Sequence, residues 1–103
     1  MSAATVFEHA QDGDEESIEM AFQAVDIASR FYSTRVAEAV AERWLWGAGW
    51  KSVAHMLGCT RPRAFAKCLD LFDWLDRNVE FGDGAARYVG AKSHAAKSPG
   101  ANP

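Results

Sequence analysis

Apolar residues recur at helical spacing along most of this chain, and polar residues interrupt them at a few sharp places. Ile18, Ala21, Phe22, Val25, Ala28 and Tyr32 follow steps of three and four. That spacing predicts a helix from about Asp14 to Phe31 or Tyr32. Glu15, Glu16 and Glu19 fall in its first turns, where the helix dipole favours negative charge. Ser33 and Thr34 both suit an N-cap, so a second helix is expected from about Arg35 to Trp46. Its stripe is Val36, Ala37, Val40, Ala41, Trp44 and Leu45. One long bent helix would account for the same residues. Gly47, Ala48 and Gly49 end this stretch and set a turn.

The chain is organised around residues 50–69, WKSVAHMLGCTRPRAFAKCL. Val53, Ala54 and Leu57 share one face of a short helix. Gly58 follows where a helix ends in the left-handed conformation, which glycine enters without steric penalty. Thr60 is a good N-cap, and Pro62 is tolerated in a helix's first turn. A further helix from Arg61 to about Arg77 carries Ala64, Cys68, Leu71, Phe72 and Leu75 on one face. Two short helices around a tight turn are the layout of a helix-turn-helix, whose second helix can lie in a DNA major groove.

Ala54 sits at the fifth position of this stretch and Gly58 at the ninth. Lys67 and Cys68 sit at the eighteenth and nineteenth. A basic residue followed by an apolar one at those last places resembles region 4 of sigma-70-type factors. The preceding VAERWLWGAGWKSVAHMLG is similar to that family's apolar helix, glycine-containing turn and A-x-x-L-G core. Among its relatives, small phage-encoded transcription regulators of the ArpU type look closest. The resemblance covers residues 34–77. It implies the winged-helix-like DNA-binding superfamily, a role in transcription control and RNA polymerase as a partner. Where the family often has a Ser cap followed by acids, this chain has Gly49, Lys51 and Ser52. That departure removes favourable dipole charge and offers a cation to a DNA phosphate.

Residues 1–13 are small, polar and acidic, and are expected to be a disordered N-terminus. Gly82, Asp83 and Gly84 read as a turn, with Ala85 to Val89 as a short helical cap. Residues 90–103 show no apolar period and are expected to be a disordered tail. Arg87, Lys92 and Lys97 make the C-terminal end mildly basic, either as a solvated tail or as nonspecific phosphate contacts. The fold class expected is therefore all-α: a small bundle of about four helices over residues 14–89, containing a helix-turn-helix.

Charge sharpens this picture. The net charge of −3 is unevenly spread. Residues 1–42 carry −7 and residues 43–103 carry +4. Local sign governs groove binding better than the total. Asp70, Asp73 and Asp76 form a row that would repel phosphates, so it is expected on the far side or beyond the DNA edge. The acidic face of the first helix reads as solvated surface or, second, as a partner site.

Length and composition bound the rest. The 103 residues suffice for one domain with a small core. A chain of this size buries about 60–65% of its unfolded surface, which implies modest stability. No apolar run approaches the ~20 residues of a membrane span, and the acidic start is not a signal peptide; both point to the cytoplasm. Cys59 and Cys68 read as reduced, buried thiols rather than a disulfide framework. His55, Cys59 and Cys68 lack a fourth ligand for zinc, so no metal or other cofactor is expected. No phosphate loop, HExxH or nucleophile elbow is present, and an enzyme is not expected. Trp44, Trp46, Trp50 and Trp74 read first as core, with Trp46 the best candidate for exposure.

The residues expected to carry function follow from the second helix of the pair. Arg61 and Arg63 are the base readers, because a guanidinium can pair with guanine through two hydrogen bonds. Lys51, Thr60 and Lys67 are the phosphate contacts, which position without specifying. Ala64 and Ala66 let the helix approach. Phe65 reads as a core contact ahead of a thymine-methyl contact. The expected partner is double-stranded DNA, bound by a homodimer or together with RNA polymerase. The rival expectation is a protein-interaction module that keeps the fold without binding DNA; there Arg61, Arg63 and Lys67 would pair with acids of the first helix.

Overall fold

A computed structural model describes residues 1–90. Ala3–Gln11 forms α1, Glu15–Phe31 α2, Thr34–Trp44 α3, Trp50–Leu57 α4 and Arg61–Asn78 α5. Val79–Gly82 (β1) and Ala85–Tyr88 (β2) then pair as an antiparallel hairpin. The architecture is a helical bundle closed by this small two-stranded sheet. Among the described residues, no helix is long and apolar enough to cross a membrane. The expected tail from residue 91 onward lies outside the described residues.

Helix boundaries follow local capping. The Asp14 carboxylate accepts from the Ser17 backbone N–H at 3.0 Å and from its hydroxyl at 2.6 Å. Those bonds favour the ionised form and hold the Asp14 carboxyl below its ordinary range. Ser33 accepts from the Val36 N–H and starts α3, so α2 and α3 are separate helices. Gly58 ends α4 at φ 66°, the left-handed region its lack of Cβ allows.

Two expectations are corrected. The N-terminus is not disordered: residues 3–11 form α1, whose Ala3, Val6, Phe7 and Ala10 are buried. Phe7 packs against Phe72 at 5.1 Å and Trp44 at 6.5 Å. The Asp76 carboxylate accepts from the Ala3 N–H at 2.7 Å and so neutralises an orphan donor at the helix start. Five helices therefore replace the expected four. Residues 85–88 are a strand, not a helical cap. Asp83 and Gly84 both take positive φ, 54° and 74°, which builds a two-residue turn matched to strand twist. Gln23 of α2 clips this hairpin in place, accepting from the Ala86 N–H at 2.7 Å and donating to the Gly84 carbonyl at 3.5 Å.

The core runs between all five helices. An alanine stripe on α2 (Ala21, Ala24 and Ala28) is fully buried and allows close packing against α1 and α3. Phe22 and Tyr32, expected on that stripe, lie outside it and are exposed. The centre is Phe7, Met20, Val40, Val53, Leu71 and Leu75. Trp44 joins this centre to α4 through an edge contact with Trp50 at 5.7 Å. Trp46 is 64% exposed, edge-on to Phe22.

Both cysteines are free thiols; Cys68 is buried and Cys59 half-buried. Burial, and then the nearby Cys59, push the Cys68 thiol up to about 11. Cys68 is thus protonated and shielded at neutral pH. In native protein at pH 8, a thiol-reactive dye is expected to label Cys59 alone, with Cys68 reacting after denaturation. Equal native rates would show that α5 opens locally far more often than its burial implies.

Candidate nucleic-acid interface

The turn from Gly58 to Thr60 sets α4 against α5; Lys51 and Ser52 near the start of α4 and Arg61, Pro62 and Arg63 at the start of α5 are exposed, while Trp50 is half-buried. Thr60 adopts extended backbone and its hydroxyl accepts from the Arg63 N–H at 3.3 Å. That cap launches α5 with Arg61 and Pro62 in the first turn. Neither α4 nor α5 has an acid in its first turn, whereas α2 has two. The exposed N-terminal ends of α4 and α5 therefore carry cations, Lys51 on one and Arg61 and Arg63 on the other. Thr60 already caps the Arg63 N–H and Pro62 has none, so at the start of α5 the helix dipole and these cations, rather than free N–H groups, act with the same sign toward an anion.

The five residues expected to contact DNA fall into two adjoining depressions. Lys51, Thr60 and Arg61 line one, together with Glu42, Ser52, His55 and Met56. Thr60, Arg63 and Lys67 line the other, with Pro62, Ala66 and Asp70. Thr60 is common to both, so the start of α5 is the ridge between them. Lys51, Arg61 and Arg63 are exposed and Lys67 is half-buried. Among the described residues, the ion pairs are Asp26–Arg30 and Glu80–Arg87. Neither uses any of the four cations.

The acidic row does not sit wholly on the far side. Asp70 lines the depression that holds Arg63 and Lys67. It is nine residues past Arg61, about 13 Å along the helix at 1.5 Å per residue. Asp76 is engaged at the start of α1. Among the described residues, no group of three or more His, Cys, Asp or Glu side chains could hold a metal ion.

Phe65 departs from its expected place. Its ring meets Trp50 edge-on at 5.3 Å, yet the residue is 46% exposed. Leu69 is also exposed. With Pro62 and Ala66 they form an apolar strip along the outward side of α5. The signal was available: Ala64, Cys68, Leu71, Phe72 and Leu75 already complete the inward stripe. Phe65 and Leu69 each follow an inward residue by one position, about 100° around the helix.

Comparison with protein-family models, with curated proteins and with solved structures finds no match to this chain.

Proposed function

We propose that this protein binds double-stranded DNA sequence-specifically and acts in transcription control. In this reading α4 and α5 are a helix-turn-helix, and α5 enters the major groove by its N-terminal end. The observation that carries it is the placement of Lys51, Arg61, Arg63 and Lys67. They surround the start of α5, with no carboxylate within ion-pair distance among the described residues. Cations left unpaired beside two helix N-termini favour a polyanion. Arg61 and Arg63 read bases, while Lys51, Thr60 and Lys67 hold phosphates. The sequence resemblance to sigma-70 region 4 supports the same assignment and adds RNA polymerase as a partner. One module of this size makes few contacts, so a second copy or the polymerase supplies the remainder.

The test is fluorescence anisotropy of a labelled mixed-sequence duplex at several salt concentrations. Neutralising about two phosphates, at Lys51 and Lys67, gives a slope of about −1.8 in log K against log salt, or roughly 12-fold weaker binding between 50 and 200 mM. Absence of binding at low salt would overturn the reading.

A protein-interaction module is the second reading, and one observation favours it. Phe31, Tyr32 and Tyr88 are exposed, and Tyr88 stacks on Phe31 at 4.1 Å while Tyr32 packs on Trp74 at 5.4 Å. Trp74 lies about 20 Å along α5 from Arg61, so this aromatic surface is separate from the cationic one. A protein that binds no duplex would be examined for a partner there and on the acidic side of α2.

A further inference from the structure

We propose that Trp50, Pro62 and Phe65 form a receptor for the C5-methyl group of thymine, beside the base-reading Arg61. This rests on the DNA-binding reading and extends it to a named base feature. The three apolar side chains and Arg61 line one small notch at the start of α5. Pro62 and Phe65 are three positions apart and Arg61 and Phe65 four, so all stand on neighbouring turns of one helix face.

The notch wall is held from behind. The Trp50 indole meets Trp44 edge-on at 5.7 Å and lies 5.2 Å from the Arg43 guanidinium. Arg43 in turn donates to the Ala48 carbonyl at 3.2 Å. Phe65 completes the wall at 76° to the indole. Two rings at 76° to each other and a proline ring make a mainly carbon-lined corner whose one charged group is the Arg61 side chain. Arg61 can donate to a polar neighbour, but the walls around it are apolar and match a small apolar projection.

Charge identifies what presents that projection. Arg61 lines the notch, Lys51 and Arg63 adjoin its Trp50 and Pro62 in sequence, and none of the three has an ion-pair partner among the described residues, so a polyanion is the occupant their charge favours. Within the major groove of B-form DNA, thymine supplies a methyl group on the base edge, and an Arg reads guanine at the same depth. RNA has no such methyl, and its narrow major groove does not admit a helix. The site thus selects thymine next to guanine in duplex DNA.

The experiment begins with a site selected from randomised duplexes. Each thymine of that site is then replaced in turn by deoxyuridine, and affinity is measured by anisotropy. At one position, adjacent to a guanine, the loss is expected to be about four-fold, the worth of one buried methyl. Phe65→Ala, with helicity checked by circular dichroism, is expected to equalise affinity for the thymine and deoxyuridine forms at that position. The base change leaves the protein untouched, so a folding defect in the variant does not decide the result. Equal affinity for both forms in the native protein overturns the methyl site while leaving DNA binding intact. A loss that persists unchanged in folded Phe65→Ala overturns it too, and points to another residue as the reader. Duplex binding without any selectable sequence overturns base reading altogether. No duplex binding at low salt removes the parent reading instead, and the methyl site with it.

Discussion

A chain lacking residues 1–13 is expected to lose its cooperative unfolding transition near room temperature. α1 supplies four buried side chains, among them Val6 and Phe7 with no exposed surface. Phe7 sits between Phe72 of α5 and Trp44 of α3, so removing it opens a cavity where two other helices meet. A buried Phe→Ala change alone costs about 3–5 kcal/mol. Total stability for a domain of this size is on the order of 5–15 kcal/mol. Losing Val6, the alanines and the Asp76 bond to Ala3 as well would consume most of that margin. Phe7→Ala is the graded form of the test, read as a shift in urea midpoint at constant slope. The consequence reaches the cationic surface, because Trp44 supports Trp50 and Trp50 backs the notch beside Arg61. A truncated chain that melts like the full one would remove α1 from the core.

The helices that stand next to their own capping residues were legible in the sequence. Asp14, Ser33 and Thr60 each announce a start within three residues, and each cap bond forms as local chemistry dictates. Gly58 announces an end in the same way. Of the cations, the Arg63 and Lys67 pair was legible from i, i+4 spacing, whereas Arg61 stands two positions from Arg63 and Lys51 belongs to α4, so their place beside that pair depends on how α4 packs on α5. What was not legible depended on distant partners. Ala3, Val6, Phe7 and Ala10 have helical spacing, but so short a stripe is stable only against the α2, α3 and α5 surfaces that cover it. The hairpin turned on Asp83 and Gly84, a two-residue turn signal that overrides the helical preference of Ala85 and Ala86. The position of Phe65 was ambiguous because periodicity places a side chain on a flank without saying whether a neighbour covers it. Among the described residues Trp50 meets the ring edge-on, and Phe65 stays exposed.

Arg63→Ala is expected to weaken binding to a selected site by about 5- to 100-fold, the worth of one bidentate guanine contact, and binding to random duplex by less than about 3-fold. Stability should be unaffected. The bond that Thr60 makes is to the backbone N–H of Arg63, so alanine keeps the cap. The guanidinium has no ion-pair partner among the described residues, so its removal strands no acid. Lys51→Ala serves as the contrast. It sits in the first turn of α4, and its loss is expected to lower affinity for selected and random duplex alike. Its salt slope should fall by about one. The two variants together separate reading from positioning: a sequence-dependent loss at Arg63 with a sequence-independent loss at Lys51 requires α5, not α4, to enter the groove. Equal losses on both duplexes for Arg63→Ala would reduce that arginine to a phosphate contact and leave Arg61 as the remaining reader. If Lys51→Ala instead gave the sequence-dependent loss, α4 would be the groove helix, and the direction assigned to the whole module would have to be reversed.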